Sequence, residues 1–129
     1  YPDDLFEGIC PFHWNCLEGL ASAPALTARW KADPATLGDE ALAWQYEAYY
    51  LAQAIYNLIL ICSPKRVILG GGVMKRHGLI QKVRHEVPRM LNGYVSSPYL
   101  EHMDEYIVSP QLKDLAGALG AIAQFTPPD

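Results

Sequence analysis

Two short stretches of this chain read as β-strands, and that scarcity limits what it can fold into. The first is "RVIL", where Val67, Ile68 and Leu69 make a β-branched-rich run of the kind found in buried parallel strands. The second is "EYIVSP", residues 105–110. Between them "HGLIQKVRHEVPRML" places Ile80, Val83, Val87 and Leu91 on one face of an amphipathic helix. Two short strands do not hold a sheet together. Strands buried on both faces also need neighbours on either side. The expectation is an α/β chain whose sheet is incomplete, with the missing strands lying before Tyr1 or in another chain.

The rest reads as helix and linker. Residues 1–16 are irregular, with Pro2, Asp3, Asp4, Gly8 and Pro11 as turn formers. Residues 17–30 are rich in small and apolar side chains and read as a helix, with Pro24 near an early turn or break. A linker over 31–38 ends at Gly38, and a long helix is expected from Asp39 to Cys62. Asp39 and Glu40 suit its positive end. Its apolar residues run almost all round (Leu42, Trp44, Tyr49, Leu51, Ile55, Leu58, Ile61), which predicts a central, buried helix. Ser63-Pro64 stops it, because a residue before proline is pushed out of the α region. The chain closes with "DLAGALGAIAQF", where Gly117, Gly120 and Ala121 predict a small-residue stripe for close packing.

Composition removes several classes of function. The 129 residues suit one domain with a real core, half of them apolar and 19% charged. A net charge of −4 gives no basic footprint for nucleic acid. The most apolar run, "LILIC", is too short to span a bilayer, and no secretory leader is visible. Three cysteines, two of them beside a histidine, suit a reduced cytoplasmic protein with a metal loop better than a disulfide framework.

Three features carry candidate chemistry. In "GICPFHWNCLEG", Cys10, His13 and Cys16 stand at C-x2-H-x2-C spacing, which supplies three of the four thiolate or imidazole ligands of a structural zinc ion. The alternative is a structural loop with a buried cysteine pair and a surface histidine. His77, His85 and His102 are candidates for a fourth ligand or are simply solvated. In the second feature Gly70, Gly71 and Gly72 follow the first strand and precede a helix. Glycines there let a backbone approach a ligand, and a helix start offers N–H groups to an anion. The pattern is neither a P-loop nor a Rossmann fingerprint, and a purely conformational turn is the competing reading. The third is Glu18, two residues beyond the loop: a carboxylate placed to accept substrate hydroxyls, or an acid favoured at a helix start. The tyrosines at 46, 49, 50 and 56, with Trp44, read as packing or a subunit interface. Lys65-Arg66 and Lys75-Arg76 read as solvated charges.

Taken in order, "YPDDLFEGICPFH", "CLEGLAS", "AYYLAQAI", "RVILGGGVM", "LNGY" and "DLAGALGAIA" resemble the C-terminal part of the ROK sugar kinases, in particular their bacterial fructokinase branch. The family's repressors and glucokinases have a different, glycine-containing cysteine loop. The resemblance covers essentially this whole chain but less than half of a kinase. It implies the C-terminal lobe of an actin-like (ribonuclease H-like) ATPase fold, mostly helices on a few strands. Residues 1–16 would be the zinc loop, 17–63 helices, and 64–129 the nucleotide-binding strand, glycine loop and helices. It further implies ATP with magnesium, a hexose substrate (fructose first), and a homodimer.

Residue by residue, Cys10, His13 and Cys16 match three zinc ligands, the fourth being a histidine upstream of this stretch. Glu18 matches the sugar-contacting glutamate. Gly70, Gly71, Gly72 and Val73 match the nucleotide loop, and Pro24 a position near the nucleotide. No residue here matches the catalytic aspartate, nor the N-terminal phosphate loop, so the chain alone is expected to be inactive. The alternative is a non-catalytic zinc-containing sugar-sensing or regulatory domain of the same family. Two departures stand out: Trp14-Asn15 where the fructokinases usually have Gly-Asp, and Ala23 where they usually have Gly.

Overall fold

The two strands do pair in parallel. The computed structural model describes residues 1–125 and sets Val67 opposite Ile107 and Ile68 opposite Val108. The elements in chain order are α1 (Leu17–Leu20), α2 (Ala23–Trp30), α3 (Leu42–Cys62), β1 (Val67–Ile68), α4 (Leu79–Leu91), α5 (Met103–Tyr106), β2 (Ile107–Val108) and α6 (Ala116–Ala123). Short 3-10 turns lie at Pro34–Thr36, Val73–Lys75, Pro98–Leu100 and Lys113–Leu115. The architecture is mostly helical α/β, with a sheet of two strands among the described residues.

The core is the seam between α3 and α4, closed at one end by the sheet. Ala48, Ala52, Ile55 and Ile59 of α3 meet Leu79, Val83, Val87 and Leu91 of α4, together with Tyr106 and Ile107. Each such large apolar side chain contributes about 1.5–3 kcal/mol on burial. Arg84 ties α4 to the strand: its guanidinium donates to the carbonyls of Ile107 and Asp104. A smaller cluster of Leu26, Ala43 and Trp44 joins α2 to the start of α3, and Val73 packs against both clusters.

Several sequence expectations need correction. The helix expected over 17–30 is two helices, because Ser22 adopts an extended backbone and caps Ala25 with its side chain, and Pro24 stands in the first turn of α2. α3 begins at Leu42 rather than Asp39, and Asp39 pairs with Arg76 instead of serving a helix end. α3 is not buried all round, since Leu58 and Ile61 of its last turns are exposed. Its stop is as expected: Ser63, before Pro64, has left the α region at φ 44. β1 is not buried on both faces, because Ile68 is 63% exposed. Residues 105 and 106 belong to α5, which leaves two residues for β2. The glycines of α6 have no neighbour within 4 Å of where a Cβ would stand, so no close packing occurs there among the described residues.

Candidate metal loop and nucleotide cleft

The loop at residues 8–19 is a tight hairpin held at both ends. Cys10 and Trp14 exchange backbone hydrogen bonds of 3.2 and 3.0 Å, which folds Pro11, Phe12 and His13 into the turn. Trp14 pays for that turn with a left-handed backbone, φ 53. Asn15, the residue better suited to such a conformation, is not the one that adopts it. Two glycines clamp the base. A Cβ on Gly8 would lie 2.0 Å from the Trp14 carbonyl oxygen, and one on Gly19 would lie 1.9 Å from the same atom. The Ile9 N–H donates to the Gly19 carbonyl, which joins the entry of the loop to α1.

The hairpin brings Cys10, His13 and Cys16 together, with their ligand atoms all within 4.8 Å of one another. Cys10 Sγ lies 3.8 Å from His13 Nδ1. Tetrahedral zinc, at about 2.3 Å from sulfur and about 2.0 Å from nitrogen, places neighbouring ligands about 3.6–3.8 Å apart. The three donors therefore fit one ion after small side-chain rotations. Backbone N–H groups of Phe12 and then His13 bond the Cys10 sulfur, with Cys16 and His13 side chains adding to them, and they bring this thiol down to about 7. A thiol so lowered is ready to bind metal as thiolate. Among the described residues the cluster has three members, and His77, His85 and His102 are not among them. Asp4 is engaged elsewhere, paired with Arg29.

Glu18 lies in the first turn of α1, exposed, one position before the buried Gly19. The glycine loop is arranged differently from the sequence expectation. The glycines lead into the 3-10 turn Val73–Lys75, and α4 starts only at Leu79, so the N-terminal end of that helix does not face them directly in sequence. Gly71 has φ +104, a conformation that suits glycine and resists other residues. Gly70 and Gly71 line a cleft of about 380 Å³ with Ser109 and Lys113, at the carboxyl ends of both parallel strands. Open α/β sheets bind ligands at such ends. Gly72 and Val73 line a second cleft of about 320 Å³ with Ala23 and Leu26 of α2. The structure thus brings the glycine loop beside the start of α2, where Pro24 is exposed in the first turn.

Two groups escaped the sequence reading. Arg76 is no solvated charge: it stacks 4.7 Å over the Trp44 ring, pairs with Asp39 at 2.7 Å and donates to the Leu37 carbonyl. It fixes the segment before α3 to the turn after the glycines. Glu47, Arg29, Asp4 and Tyr50 form a buried polar cluster. Burial pushes the Glu47 carboxyl up to about 7, against the pull of Arg29. Glu47 was readable as polar within an apolar helix, which is the signal that could have found it. The tyrosines behave as packing: Tyr46 stacks on Tyr1 with ring centres 4.1 Å apart.

With this geometry in view, the comparison with known proteins is decisive. Residues 2–126 match the ROK family. The chain belongs to that family. This ROK chain is 44% identical over 123 residues to the Bacillus subtilis protein named "Putative fructokinase", covering 95% of the chain and 41% of that relative. It is 39% identical over 113 residues to the fructokinase of Lactococcus lactis subsp. cremoris, covering 88% of the chain and 38% of the relative. It is 39% identical over 129 residues to the fructokinase of Zymomonas mobilis subsp. mobilis, with 95% and 41% covered. The chain therefore spans about two fifths of the length of the curated relatives it matches. No helix among the described residues is long and apolar enough to cross a membrane.

Proposed function

We propose that this chain is the C-terminal part of an ATP-dependent hexose kinase that converts fructose to fructose 6-phosphate, in the C-terminal lobe of an actin-like fold. The observation that carries the reading is the similarity to fructokinases over nearly the whole chain. The metal loop, Glu18 and the glycine cleft occur together within that stretch. Cys10, His13 and Cys16 hold a structural zinc ion, whose chemistry is to cross-link the hairpin to the start of α1. Glu18 accepts hydrogen bonds from sugar hydroxyls. Gly70, Gly71, Gly72 and Val73 line the nucleotide with Pro24 nearby, and ATP arrives as its magnesium complex.

None of the residues here serves as the catalytic base. Phosphoryl transfer rests on positioning and charge neutralisation from both lobes, so the chain by itself is inactive. The protein works in the cytoplasm as a homodimer. The test is an assay of hexose-dependent ADP formation by the complete protein, with fructose, glucose and mannose compared, beside the same assay of this chain alone. Fructose turnover by the complete protein and none by the chain supports the reading. A complete protein that binds zinc and sugar but transfers no phosphate belongs instead to the regulatory, non-catalytic class.

A further inference from the structure

The segment that leads into the metal loop is joined to the helices by a mostly buried ion pair that the kinase reading does not use. Arg29 Nη2 lies 3.0 Å from Asp4 Oδ2, and the two side chains are only 7% and 8% exposed. The Tyr50 hydroxyl of α3 donates to the same Asp4 oxygen. Burial, and then the Asp4 carboxylate, keep the proton on Tyr50, so it remains a donor. The Arg29 guanidinium also lies 4.6 Å over the Phe6 ring, two residues beyond Asp4, and the Phe6 N–H donates to Asp4 Oδ1. One side chain from α2 and one from α3 thus grip a segment that has no helix or strand of its own.

The position of this pair in the chain gives it a purpose. Asp4 and Arg29 close a ring over residues 4–29, and that ring contains Cys10, His13, Cys16 and Glu18. At the entry of the loop, four residues beyond Asp4, Gly8 is locked against the Trp14 carbonyl. Between the loop and Arg29 stands α1, tied back by the Ile9–Gly19 hydrogen bond. Buried ion pairs are poor contributors to net stability, since apolar residues of like volume do as well; fixing one register is their best-attested use.

We propose that Asp4 and Arg29 are a positioning pair: a clasp that sets the place of the metal loop, and with it Glu18, on α2 and α3. The position of Glu18 as a sugar contact rests on the kinase reading, but the clasp itself does not. Glu47, whose carboxyl group also feels Arg29, is fully buried on α3, and its oxygens have no hydrogen-bond partner among the described residues. When Asp4 is neutralised, Arg29 still lies over the rings of Phe6, Tyr46 and Tyr50, and an asparagine keeps a side-chain oxygen for it, so the Asp4→Asn variant is suited to retain its fold.

The experiment is hydrogen exchange of metal-stripped protein, followed by zinc release to a chelator from loaded protein, on the wild type, Asp4→Asn, Tyr50→Phe and the charge swap Asp4→Arg with Arg29→Asp. The clasp predicts that Asp4→Asn speeds exchange over residues 8–20 by about tenfold while α4 is unchanged. Zinc release should quicken in parallel, Tyr50→Phe should show a smaller effect of the same kind, and the swap should recover much of the loss. Exchange that rises equally in the loop and in α4, or in neither, overturns the proposal, because the pair is then general packing. A wild type that holds no zinc overturns the metal reading and leaves the exchange result to judge the clasp.

Discussion

Gly8 rests so closely on the Trp14 carbonyl that an added Cβ would stand 2.0 Å from its oxygen. Its φ of 84 is also one that side chains resist. Gly8→Ala therefore meets steric overlap and backbone strain together, at a combined cost of about 2–4 kcal/mol. The neighbour it strikes is backbone, which cannot rotate away. The expected result in denaturant unfolding is a lowered midpoint, with zinc bound less tightly because the hairpin has opened. A midpoint equal to the wild type would show that the loop does not close as described.

Trp14 tells the opposite story, since it holds φ 53 with a bulky side chain that is largely exposed. Replacing it by glycine removes the left-handed penalty while losing little packing, and the gain is offset in part by glycine's entropy in the unfolded chain. Trp14→Gly should stabilise the protein by about 0.5–1 kcal/mol. Thermal unfolding of the two proteins side by side checks the sign, and a lower Tm for the variant contradicts the strain argument.

The zinc assignment has its own direct check. Cys10, His13 and Cys16 form a single cluster, so removing any one leaves two donors, too few to hold zinc against a chelator. Cys16→Ala should reduce bound metal from near one ion per chain to a small fraction, read by elemental analysis after dialysis. Unchanged metal content in this variant sinks the loop as the binding site.

How much of this was legible beforehand depended on how local the cause was. The C-x2-H-x2-C cluster was readable because seven consecutive residues make it. The two short strands were legible as β-branched runs around an amphipathic helix, whereas the pairing of Val67 with Ile107 is a tertiary contact that neither run announces. Ile68 was misjudged as buried because burial of a strand depends on neighbours that its own sequence does not carry. The start of α3 shifted to Leu42 because Asp39 finds Arg76, a partner remote in sequence. Arg29 and Asp4 lie in different segments, and nothing in either announces the other. Local chemistry was visible, whereas ion pairs formed by tertiary packing were not.

Glu47 makes the stability depend on pH in a definite direction. Its folded carboxyl is raised to about 7, above the ordinary range of an unfolded glutamate near pH 4.3. Between those values the folded state holds a proton that the unfolded state has lost, so this group's contribution is full below about pH 4 and is lost as pH rises towards 7. The loss is on the order of 3 kcal/mol. Glu47→Gln cannot ionise and should lack this term. Urea unfolding at pH 5 and pH 8 should show the variant gaining on the wild type at the higher pH. Parallel curves for the two proteins would mean that Glu47 is not held in its neutral form.

Gly71 tests the nucleotide reading through backbone alone. Its φ is +104, and no atom lies within 4 Å of where a Cβ would stand, so a side chain there meets strain and not collision. Valine, branched at Cβ, resists this conformation most and would also stand in the cleft that Gly71 lines with Gly70 and Ser109. In the complete protein Gly71→Val should raise the KM for ATP by about tenfold or more, the cost of about 1.4 kcal/mol in binding, while the KM for the sugar moves little. The split between the two constants is what matters. A variant that loses both to the same degree has misfolded, and one that loses sugar affinity alone places the glycine cleft at the wrong substrate.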